Sequence, residues 1–561
     1  MTYTIEKITT LIGARRVGDK DANIGWILTD SRSLCFPEET LFFALRSERN
    51  DGHKYISDLY RRGVRNFVVE NIPANAQSAY ADANFLKVIS SLEALQRLAE
   101  RHRDEFNIPV IGITGSNGKT MVKEWLYQLL SSSMVVTRSP RSYNSQIGVP
   151  LSVWLLNEQT QVGVFEAGIS MPGEMYALHD IIQPTIGVIT NLGAAHQENF
   201  TSMEAKCNEK LQLFHDAKTI VYNADDDIIC KCVGAQHLKG ETIAWSQKDN
   251  KAQLYVKSID KKNITSTVKY IYKGKEGEYP LPFIDEASIR NSIICAAVSL
   301  HLGITTEQLK ERMALLEPVA MRLEVKEGQH GCTLINDSYN SDINSLDIAL
   351  DFMNRRPDHN GRKRTLILSD IYQSGESSEA LYKEVSDLSR KRGVAKFIGI
   401  GPALTAQKDK IQITDKYFFD DCDSFISSDV FKSLHDEVIL IKGSRDFGFD
   451  QLTELLEMKV HETILEVNLN GVVKNLNFYR SFMKPTTKLV CMVKADAYGA
   501  GAVEVAKTLQ DHRVDYLAVA VADEGVTLRK NGITSNIIIM NPEMTSFKTM
   551  FDYDLEPDSC S

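Results

Sequence analysis

Residues 107–120 read NIPVIGITGSNGKT, and the architecture of the whole chain follows from them. The apolar run that ends at Ile113 predicts a buried β-strand, and the glycines at 115 and 118 predict a turn. A helical pattern begins at Lys119. A buried strand that leads through a short turn into a helix is the repeating unit of α/β proteins, so we predict an α/β fold.

The turn has the composition of a phosphate-binding loop, made of Thr114, Gly115, Ser116, Asn117, Gly118, Lys119 and Thr120. Glycines let backbone N–H groups turn toward phosphate oxygens at a helix N-terminus, a lysine neutralises phosphate charge, and a threonine hydroxyl can hold Mg²⁺. Ile113 stands where the strict GxxxxGK[ST] pattern has its first glycine. The alternative is a structural glycine turn, but strand, loop, Lys-Thr pair and helix follow in the order that ATP binding requires.

Length and charge narrow the class of protein. At 561 residues the chain is too long for one hydrophobic core, and about 150 residues per domain predicts three or four domains. The net charge of −10 and the pI near 5.7 argue against a nucleic-acid partner. Glu6 and Lys7 interrupt the segment where a signal peptide needs its apolar core. We therefore expect a cytoplasmic protein without membrane insertion.

Motif clusters divide the chain into four predicted units, residues 1–106, 107–315, 316–457 and 461–561. The second unit contains the strand candidates VGVFEAG and TIGVITNLG, and the third contains TLILSD, KFIGIG and EVILIKGS. The last unit repeats a strand–helix pattern three times. With about 100 residues it is too short for a complete (β/α)8 barrel, which needs roughly 250.

The loop TGSNGKT resembles the phosphate loop of the Mur ligase family. The resemblance implies three domains: a UDP-binding α/β domain, a central P-loop ATPase with a mainly parallel sheet, and a Rossmann-like third domain. It also implies that Mg²⁺ is held by Thr120, Glu166 in VFEAGIS, His196 in TNLGAAHQENF and Lys210 in EAKCNEKLQLF. An ammonium would repel Mg²⁺, so this lysine is expected as a CO₂-derived carbamate, whose oxygens a hard cation prefers.

Further motifs in the family's order imply a second set of contacts to ATP. The resemblance gives this role to Asn291 in IRNSIICAAV, Arg322 in PVAMRLEV, and Asp337, Tyr339 and Asn340 in LINDSYNSDINS. It places Lys442 and Arg445 of LIKGSRDFGFD near the reacting acyl phosphate. Ala287 and Ser288 depart from the family's HNxxN motif, and Asn336, Asp342 and Ile343 depart from its DDxYNANP segment.

The residues before the loop resemble the first domain of the family branch that adds D-alanyl-D-alanine. The resemblance implies contacts to the UDP-linked substrate from Thr29, Asp30, Ser31, Arg32, Asp51, Gly52 and His53. Residues 141–150, RSYNSQIGVP, resemble the family's substrate loop and add Asn144, Ser145 and Gln146. A guanidinium and hydroxyl groups suit a diphosphate.

The implied reaction joins UDP-N-acetylmuramoyl-tripeptide to D-alanyl-D-alanine at the expense of ATP. Lys119, Glu166, His196, Lys210, Lys442 and Arg445 are its expected catalytic residues. The alternatives are another Mur-type ligase, a folylpolyglutamate-type amide ligase, or a non-catalytic scaffold. About 105 residues before the phosphate loop argue against the folylpolyglutamate type, and the presence of these lysines and His196 argues against a scaffold.

The last unit carries KADAYG at residues 494–499, which resembles the start of alanine racemase. The resemblance implies that Lys494 forms the imine with pyridoxal phosphate and that Tyr498 lies beside this cofactor. Ala500 replaces the usual His. Because the resemblance covers only residues 461–561, we expect no racemase activity from this chain.

Overall fold

The computed structural model describes residues 2–558 except positions 35, 48–49, 75, 141, 194–196, 237–239, 263–264, 319–322, 339–340, 356–360, 372–376, 444–446, 459–465 and 485. Four larger sheets organise these residues, with helices packed against them. None of the helices in this described part combines the length and the apolar character that a membrane crossing needs.

The amino-terminal sheet has the strand order β2-β7-β6-β5-β4, and all of its neighbours are parallel except β2 and β7. Strands β5 and β6 are buried along their whole length, which is typical of parallel strands covered on both faces. The strands of this sheet are Arg15–Val17 (β2), Trp26–Leu28 (β4), Thr40–Phe43 (β5), Asn66–Val69 (β6) and Asn84–Lys87 (β7), and Tyr3–Thr4 (β1) and Asn23–Ile24 (β3) form a separate antiparallel pair. The helices are Ile5–Leu11 (α1), Ile56–Arg61 (α2), Ala76–Ala79 (α3) and Ser91–Arg103 (α4).

The central sheet has nine strands in the order β16-β15-β14-β13-β12-β11-β8-β10-β9, parallel from β9 to β14 and antiparallel beyond. Its strands are Val110–Thr114 (β8), Val136–Arg138 (β9), Val162–Glu166 (β10), Ile186–Ile189 (β11), Thr219–Asn223 (β12), Glu241–Ser246 (β13), Leu254–Lys262 (β14), Thr265–Tyr272 (β15) and Lys275–Leu281 (β16). Its helices are Lys119–Leu130 (α5), Gly148–Val153 (α6), Glu174–Ile182 (α7), Met203–Leu211 (α8), Asp227–Ala235 (α9), Glu286–His301 (α10) and Thr306–Met313 (α11).

Two apolar clusters lie on the central sheet. Helices α5 and α10 contribute Trp125 and Ile293 to one cluster, and helices α6 and α7 contribute Val149 and Leu178 to the other. Parallel strands covered in this way end at one common edge, where loops carry the polar side chains. The strand and helix predicted for residues 110–130 are β8 and α5.

The third sheet has the order β17-β18-β22-β19-β20-β21 and is parallel apart from β17. Its strands are Glu324–Glu327 (β17), Thr333–Asp337 (β18), Lys363–Ser369 (β19), Lys396–Ile400 (β20), Asp415–Phe419 (β21) and Glu437–Lys442 (β22). Its helices are Ile343–Arg355 (α12), Ser378–Lys391 (α13), Pro402–Ala406 (α14), Cys422–Ile426 (α15), Asp429–Lys432 (α16) and Phe449–Leu456 (α17). The strands predicted from TLILSD, KFIGIG and EVILIKGS are β19, β20 and β22.

The carboxy-terminal sheet has four parallel strands in the order β23-β24-β25-β26 and does not close into a barrel within the described residues. The strands are Val490–Met492 (β23), Tyr516–Val519 (β24), Asn536–Ile539 (β25) and Glu556–Pro557 (β26), and the helices are Leu469–Arg480 (α18), Lys494–Gly499 (α19), Ala502–Asp511 (α20), Ala522–Lys530 (α21) and Phe547–Asp552 (α22). An α/β fold with mostly parallel sheets is therefore confirmed.

Helix α4 joins the first sheet to the central one through a buried histidine. Nε2 of His102 donates to the carbonyl of Leu156 at 3.0 Å, and the hydroxyl of Tyr3 donates to its Nδ1 at 2.9 Å. Burial lowers the pKa of His102 to about 4, and the positive charge of Arg513 adds to the shift. The imidazole is therefore neutral in the folded protein at pH 7.

We expect acid to weaken this junction. The folded pKa of His102 lies below the unfolded value of 6.5, so its contribution to the free energy of unfolding is complete above pH 6.5 and is lost as the pH falls toward 4. The loss should reach about 3 kcal/mol. Urea unfolding of wild type and His102→Gln at pH 7 and pH 4.5 measures it, and equal pH dependence in both proteins would contradict it.

Candidate active site

A glycine loop lies between strand β8 and helix α5. Gly115 and Gly118 have φ values of +142° and +84°, which glycine adopts without strain. A Cβ at residue 115 would lie 2.0 Å from Oγ1 of Thr190, and one at residue 118 would lie 2.7 Å from Oδ1 of Asn291. Both positions therefore require glycine, and the loop meets the N-terminus of a 12-residue helix, a favourable place for an anion.

Two residues that follow strand β11 hold this loop. Asn191 accepts from the backbone N–H of Ser116 through its carbonyl and from that of Asn117 through Oδ1, both at 2.9 Å. The hydroxyl of Thr190 donates to the carbonyl of Asn117 at 2.5 Å. Sequence reasoning did not select Thr190 or Asn191, although a polar pair at the end of a strand beside the loop was a usable signal.

Lys119 lies in the mouth of the loop. Its Nζ donates to the carbonyl oxygens of Gly115 at 2.8 Å and Ser116 at 3.3 Å. These bonds place Nζ of Lys119 within the turn, next to the helix N-terminus where an anion is favoured.

A buried carboxylate stands next to the loop. Oε2 of Glu166, at the end of β10, accepts from the hydroxyl of Thr120 at 3.1 Å and from Nδ2 of Asn144 at 3.5 Å. Its Oε1 lies 3.2 Å from Nζ of Lys123, and both side chains are fully buried. The structure thus brings the predicted Thr120, Glu166 and Asn144 together, and adds Lys123, which the sequence analysis did not select.

Lys210 of helix α8 reaches the same place from the other side. Its side chain is buried, and its Nζ donates to the carbonyl of Gly115 at 3.4 Å. Burial lowers the pKa of Lys210 well below its ordinary value, and the positive charges of Lys119 and Lys206 lower it further. Burial and the neighbouring cations therefore both disfavour the charged form of this side chain.

The third sheet supplies the opposite wall of the site. Asp337 and Lys442 are paired residues at the ends of the parallel strands β18 and β22, and their side chains form a buried ion pair of 2.9 Å. Asn291 of α10 reaches the loop and donates to Sδ of Met121 at 3.2 Å. Asn291 comes from a helix of the central unit, whereas Asp337 and Lys442 come from the third sheet, so the site lies between these two parts of the chain.

A cavity of about 400 Å³ occupies this space. Its lining includes the glycine loop, Asn144, Ser145, Lys210, Asn291 and Asp337. The volume lies in the range that small-molecule sites occupy. Five predicted residues lie outside the described residues: His196, Arg322, Tyr339, Asn340 and Arg445.

The first sheet presents its predicted motifs at the carboxyl ends of β4 and β5. Asp30 accepts from Nε of Arg32 at 2.9 Å, and the side chain of Arg32 is 87% exposed. Thr29 precedes this pair and Ser31 lies between its two residues. The guanidinium is therefore held in a fixed position at an edge where ligands of open α/β sheets bind.

The DGH motif forms a tight internal network. The backbone N–H of Glu70 donates to Nε2 of His53 at 3.1 Å, so Nδ1 carries the proton and donates to Asp51 at 2.6 Å. A Cβ at Gly52 would lie 2.8 Å from the backbone nitrogen of Leu45, which excludes any other residue there. These contacts hold the motif against the first sheet, and its contact with the UDP-linked substrate stays a prediction.

The loop at residues 142–150 connects the first sheet to the central cavity. Gln146 donates to the carbonyl of Glu174 at 2.9 Å and accepts from Nε2 of Gln96 on α4 at 2.9 Å. The hydroxyl of Ser145 accepts from the N–H of Gly148 at 3.2 Å and so stabilises the start of α6. Asn144 and Ser145 line the cavity.

Lys494 follows strand β23 and begins α19, which is a short left-handed turn rather than a regular α-helix. Residues 495–498 have φ values between 50° and 59°, a left-handed conformation that costs about 1–2 kcal/mol per residue for residues other than glycine. Glu524 stabilises the turn by accepting from the N–H of Ala495 at 2.7 Å. The predicted Tyr498 is 67% exposed.

Three stretches of the chain match known family models. Residues 113–299 match the Mur ligase middle domain, residues 23–103 match the catalytic domain described for the Mur ligase family, and residues 467–558 match the alanine racemase N-terminal domain.

Two similar proteins share one name with each other. The UDP-N-acetylmuramoyl-tripeptide–D-alanyl-D-alanine ligase of Synechocystis sp. is 30% identical over 370 residues, 65% of this chain and 77% of the relative. The ligase of that name from Bacillus subtilis is 28% identical over 361 residues, 64% of this chain and 76% of the relative. The crystal structure of MurF ligase from Thermotoga maritima in complex with ADP superposes with a TM-score of 0.65 at 23% identity, over 76% of this chain and 96% of that one. At this identity the structural likeness concerns the fold.

Proposed function

Because this chain belongs to the Mur ligase family, we propose that it is an ATP-dependent ligase that joins UDP-N-acetylmuramoyl-tripeptide to D-alanyl-D-alanine. The observation that carries the proposal is the cavity in which the glycine loop, Lys210, Asn291 and Asp337 meet. Its residues come from the central and third sheets, as expected of a nucleotide site that two domains close together. The full names of the relatives supply the two substrates.

The reaction proceeds through an acyl phosphate. The tripeptide carboxylate takes the γ-phosphoryl group of ATP and ADP leaves; the amine of the dipeptide then attacks the acyl carbon, phosphate leaves, and the amine loses a proton. Lys119 and the N-terminus of α5 stabilise the negative charge of the transferring group, so catalysis is mainly positioning and electrostatics. Closure around the cavity keeps water from the acyl phosphate.

The residues present fit a magnesium ion whose remaining ligands are phosphate oxygens of the nucleotide. The described residues include no cluster of three His, Cys, Asp or Glu side chains that could hold a metal by themselves. Thr120 and Glu166 instead offer one hydroxyl and one carboxylate in contact beside the glycine loop. Mg²⁺ is commonly held by one or two carboxylates together with substrate phosphates, and there it offsets their negative charge.

We assign the remaining ligands to His196 and to Lys210 carrying a CO₂-derived carbamate. Carbamate formation converts an amine and CO₂ into an N-carboxylate and releases one proton. The support is the position of Nζ of Lys210, buried and 3.4 Å from the loop carbonyl, where an ammonium would repel a metal ion.

We place the UDP-linked substrate on the first sheet and across the loop at residues 142–150. Arg32 is exposed at the carboxyl edge of that sheet and suits a diphosphate. Asn144 and Ser145 line the cavity from the same side and are placed to receive the peptide end. Arg322, Tyr339, Asn340, Lys442 and Arg445 remain proposed contacts to ATP and the acyl phosphate. Since both substrates and ATP are cytoplasmic compounds, we place the reaction in the cytoplasm.

The four units predicted from the sequence each have a part in this proposed reaction or carry the racemase resemblance. We divide the chain into a substrate-binding unit at 1–106, an ATP-binding unit at 107–315, a closing unit at 316–457 and a racemase-like segment at 461–561.

We expect the racemase-like segment to show no alanine racemisation. Tyr498 is 67% exposed, and the described part of the sheet stays open, so Lys494 and Tyr498 do not face a closed cofactor pocket. Incubation of the full chain with pyridoxal phosphate and L-alanine should yield no D-alanine above a Lys494→Ala control. Cofactor-dependent D-alanine formation that Lys494→Ala abolishes would contradict this expectation.

One assay tests the main proposal. Phosphate release from ATP is measured with the UDP-linked tripeptide, with and without D-alanyl-D-alanine. We expect release that depends on both substrates and one new peptide bond for each phosphate. Release that needs folate and glutamate instead would identify another amide ligase, and absence of any release with both substrates would reject the proposal.

A further inference from the structure

An ion-pair network of four alternating charges, Glu166, Lys123, Glu124 and Arg138, runs from Glu166 toward the surface of the central unit. Nζ of Lys123 lies 3.2 Å from Oε1 of Glu166 and 2.8 Å from Oε1 of Glu124. Oε2 of Glu124 then accepts from Nε of Arg138 at 3.1 Å. Lys123 is fully buried, and the side chains of Glu124 and Arg138 are each 22% exposed. This ion-pair network therefore links the carboxylate at the phosphate loop to the edge strand β9.

The charges in this ion-pair network depend on one another. Burial would raise the pKa of Glu124, but the positive charges of Arg138 and Lys123 outweigh it and hold the pKa below its ordinary value. The guanidinium of Arg138 is further fixed 3.6 Å above the ring of Tyr127. Loss of one member would leave an uncompensated buried charge, which is strongly unfavourable.

The racemase-like segment reaches the outer end of this ion-pair network. Oδ2 of Asp511, at the end of α20, lies 3.9 Å from Nη1 of Arg138. Two residues later, Nη2 of Arg513 donates to the carbonyl of Trp154 at 3.1 Å, and its guanidinium lies 5.9 Å from the ring of Trp26. Arg480 of the segment stacks 5.1 Å from the ring of Phe36.

These contacts fix the segment on both of its neighbours. Trp26 and Phe36 belong to the amino-terminal unit, whereas Trp154 belongs to the central one. Arginine over aromatic rings is a geometry that gives orientation as well as affinity. The segment thus sits where it can hold the two units together and can present Asp511 to Arg138.

We propose that the racemase-like segment binds the ligase through Arg480, Arg513 and Asp511. The ion-pair network Arg138–Glu124–Lys123 then couples this docking to the position of Glu166. Lys123 acts as a positioning residue for the carboxylate, and docking of the segment favours the arrangement that receives magnesium with the nucleotide. This inference rests on the proposed function only through the magnesium ion expected at Glu166.

ADP binding to the full chain, titrated calorimetrically with excess Mg²⁺ and with EDTA, tests the coupling. We expect Lys123→Met to weaken ADP binding in Mg²⁺ by about tenfold or more and to leave binding in EDTA unchanged within about twofold. Lys123→Arg should restore most of the loss. A purely structural role would weaken binding equally under both conditions.

The docking step is tested by Arg513→Ala, with Lys548→Ala, an exposed lysine on α22 of the same segment, as its control. We expect Arg513→Ala to raise hydrogen exchange in α6 beside Trp154 and to weaken ADP binding in Mg²⁺ by about fivefold, while the control changes neither. Unchanged exchange would overturn the docking. Raised exchange with unchanged binding in Mg²⁺ would overturn the coupling. Failure of the wild-type protein to bind ADP at all would overturn the nucleotide site and both proposals with it.

Discussion

Replacement of Lys119 by Ala is expected to reduce D-alanyl-D-alanine-dependent phosphate release by about 10³-fold or more. The Nζ of Lys119 lies 2.8 Å from the carbonyl of Gly115, at the N-terminus of helix α5 where the transferring phosphoryl group is proposed to sit. Alanine removes the positive charge but keeps the glycine loop, which Thr190 and Asn191 hold independently. Steady-state phosphate release at saturating substrates measures the effect.

The matched control for Lys119→Ala is Lys231→Ala. Lys231 is a lysine on helix α9 of the same sheet, and its side chain is 73% exposed. We expect this variant to retain wild-type turnover and both variants to have wild-type circular dichroism. Turnover of Lys119→Ala within about tenfold of wild type would show that the loop does not act on the transferring phosphoryl group.

Replacement of Lys210 by Ala is expected to reduce turnover by about 10²-fold or more, because the proposed carbamate ligand is lost from the magnesium site. Arginine cannot form the carbamate, so Lys210→Arg should be as inactive as the alanine variant. Acetate or propionate, which can offer a carboxylate in the space of the missing side chain, should restore part of the activity of Lys210→Ala.

The rescue separates a ligand role from a packing role. The same carboxylates should not help Lys119→Ala, whose missing group is a cation. Removal of CO₂ from the buffers should lower wild-type turnover, and bicarbonate should restore it. If Lys210→Arg were as active as wild type, the carbamate assignment would be wrong, and the lysine would act as a cation toward phosphate.

The two replacements differ in what they should do to nucleotide binding. Lys119 touches the loop itself, whereas Lys210 approaches the loop from helix α8. We therefore expect Lys119→Ala to weaken ADP binding both with and without Mg²⁺, and Lys210→Ala to weaken it only with Mg²⁺. This pattern matches the one expected for Lys123→Met, because both residues act on the proposed metal site.

Sequence reasoning was most successful where the chemistry is local. The strand, glycine turn and helix at residues 110–130 follow from hydrophobic pattern and glycine placement alone, and the structure has them as β8, the loop and α5. The family resemblance then selected Thr120, Glu166 and Lys210, which lie far apart in sequence, and the structure places all three beside the loop. The roles proposed for them remain to be measured.

Sequence reasoning was least complete where a role depends on which side chains meet. The assignment of residues 51–53 to substrate binding stays a prediction, and the structure adds that His53 is hydrogen-bonded to Asp51 and to the backbone of Glu70, contacts that the sequence did not reveal. Lys123 reads as an ordinary helix lysine in sequence. Only its burial between Glu166 and Glu124 shows that it can position the carboxylate at the phosphate loop.

The sequence alone therefore determined the α/β class and the glycine loop with its lysine, because strand periodicity and glycine requirements act over a few neighbouring residues. The racemase-like segment was identified from its family resemblance, carried by KADAYG at residues 494–499. The tertiary structure alone decided that Asp337 lines the same cavity as the glycine loop, that Lys442 forms an ion pair with Asp337, and that Arg513 contacts Trp154 across 359 positions. Such contacts depend on how separate sheets pack, and packing is set by the summed fit of distant surfaces, which no local pattern contains.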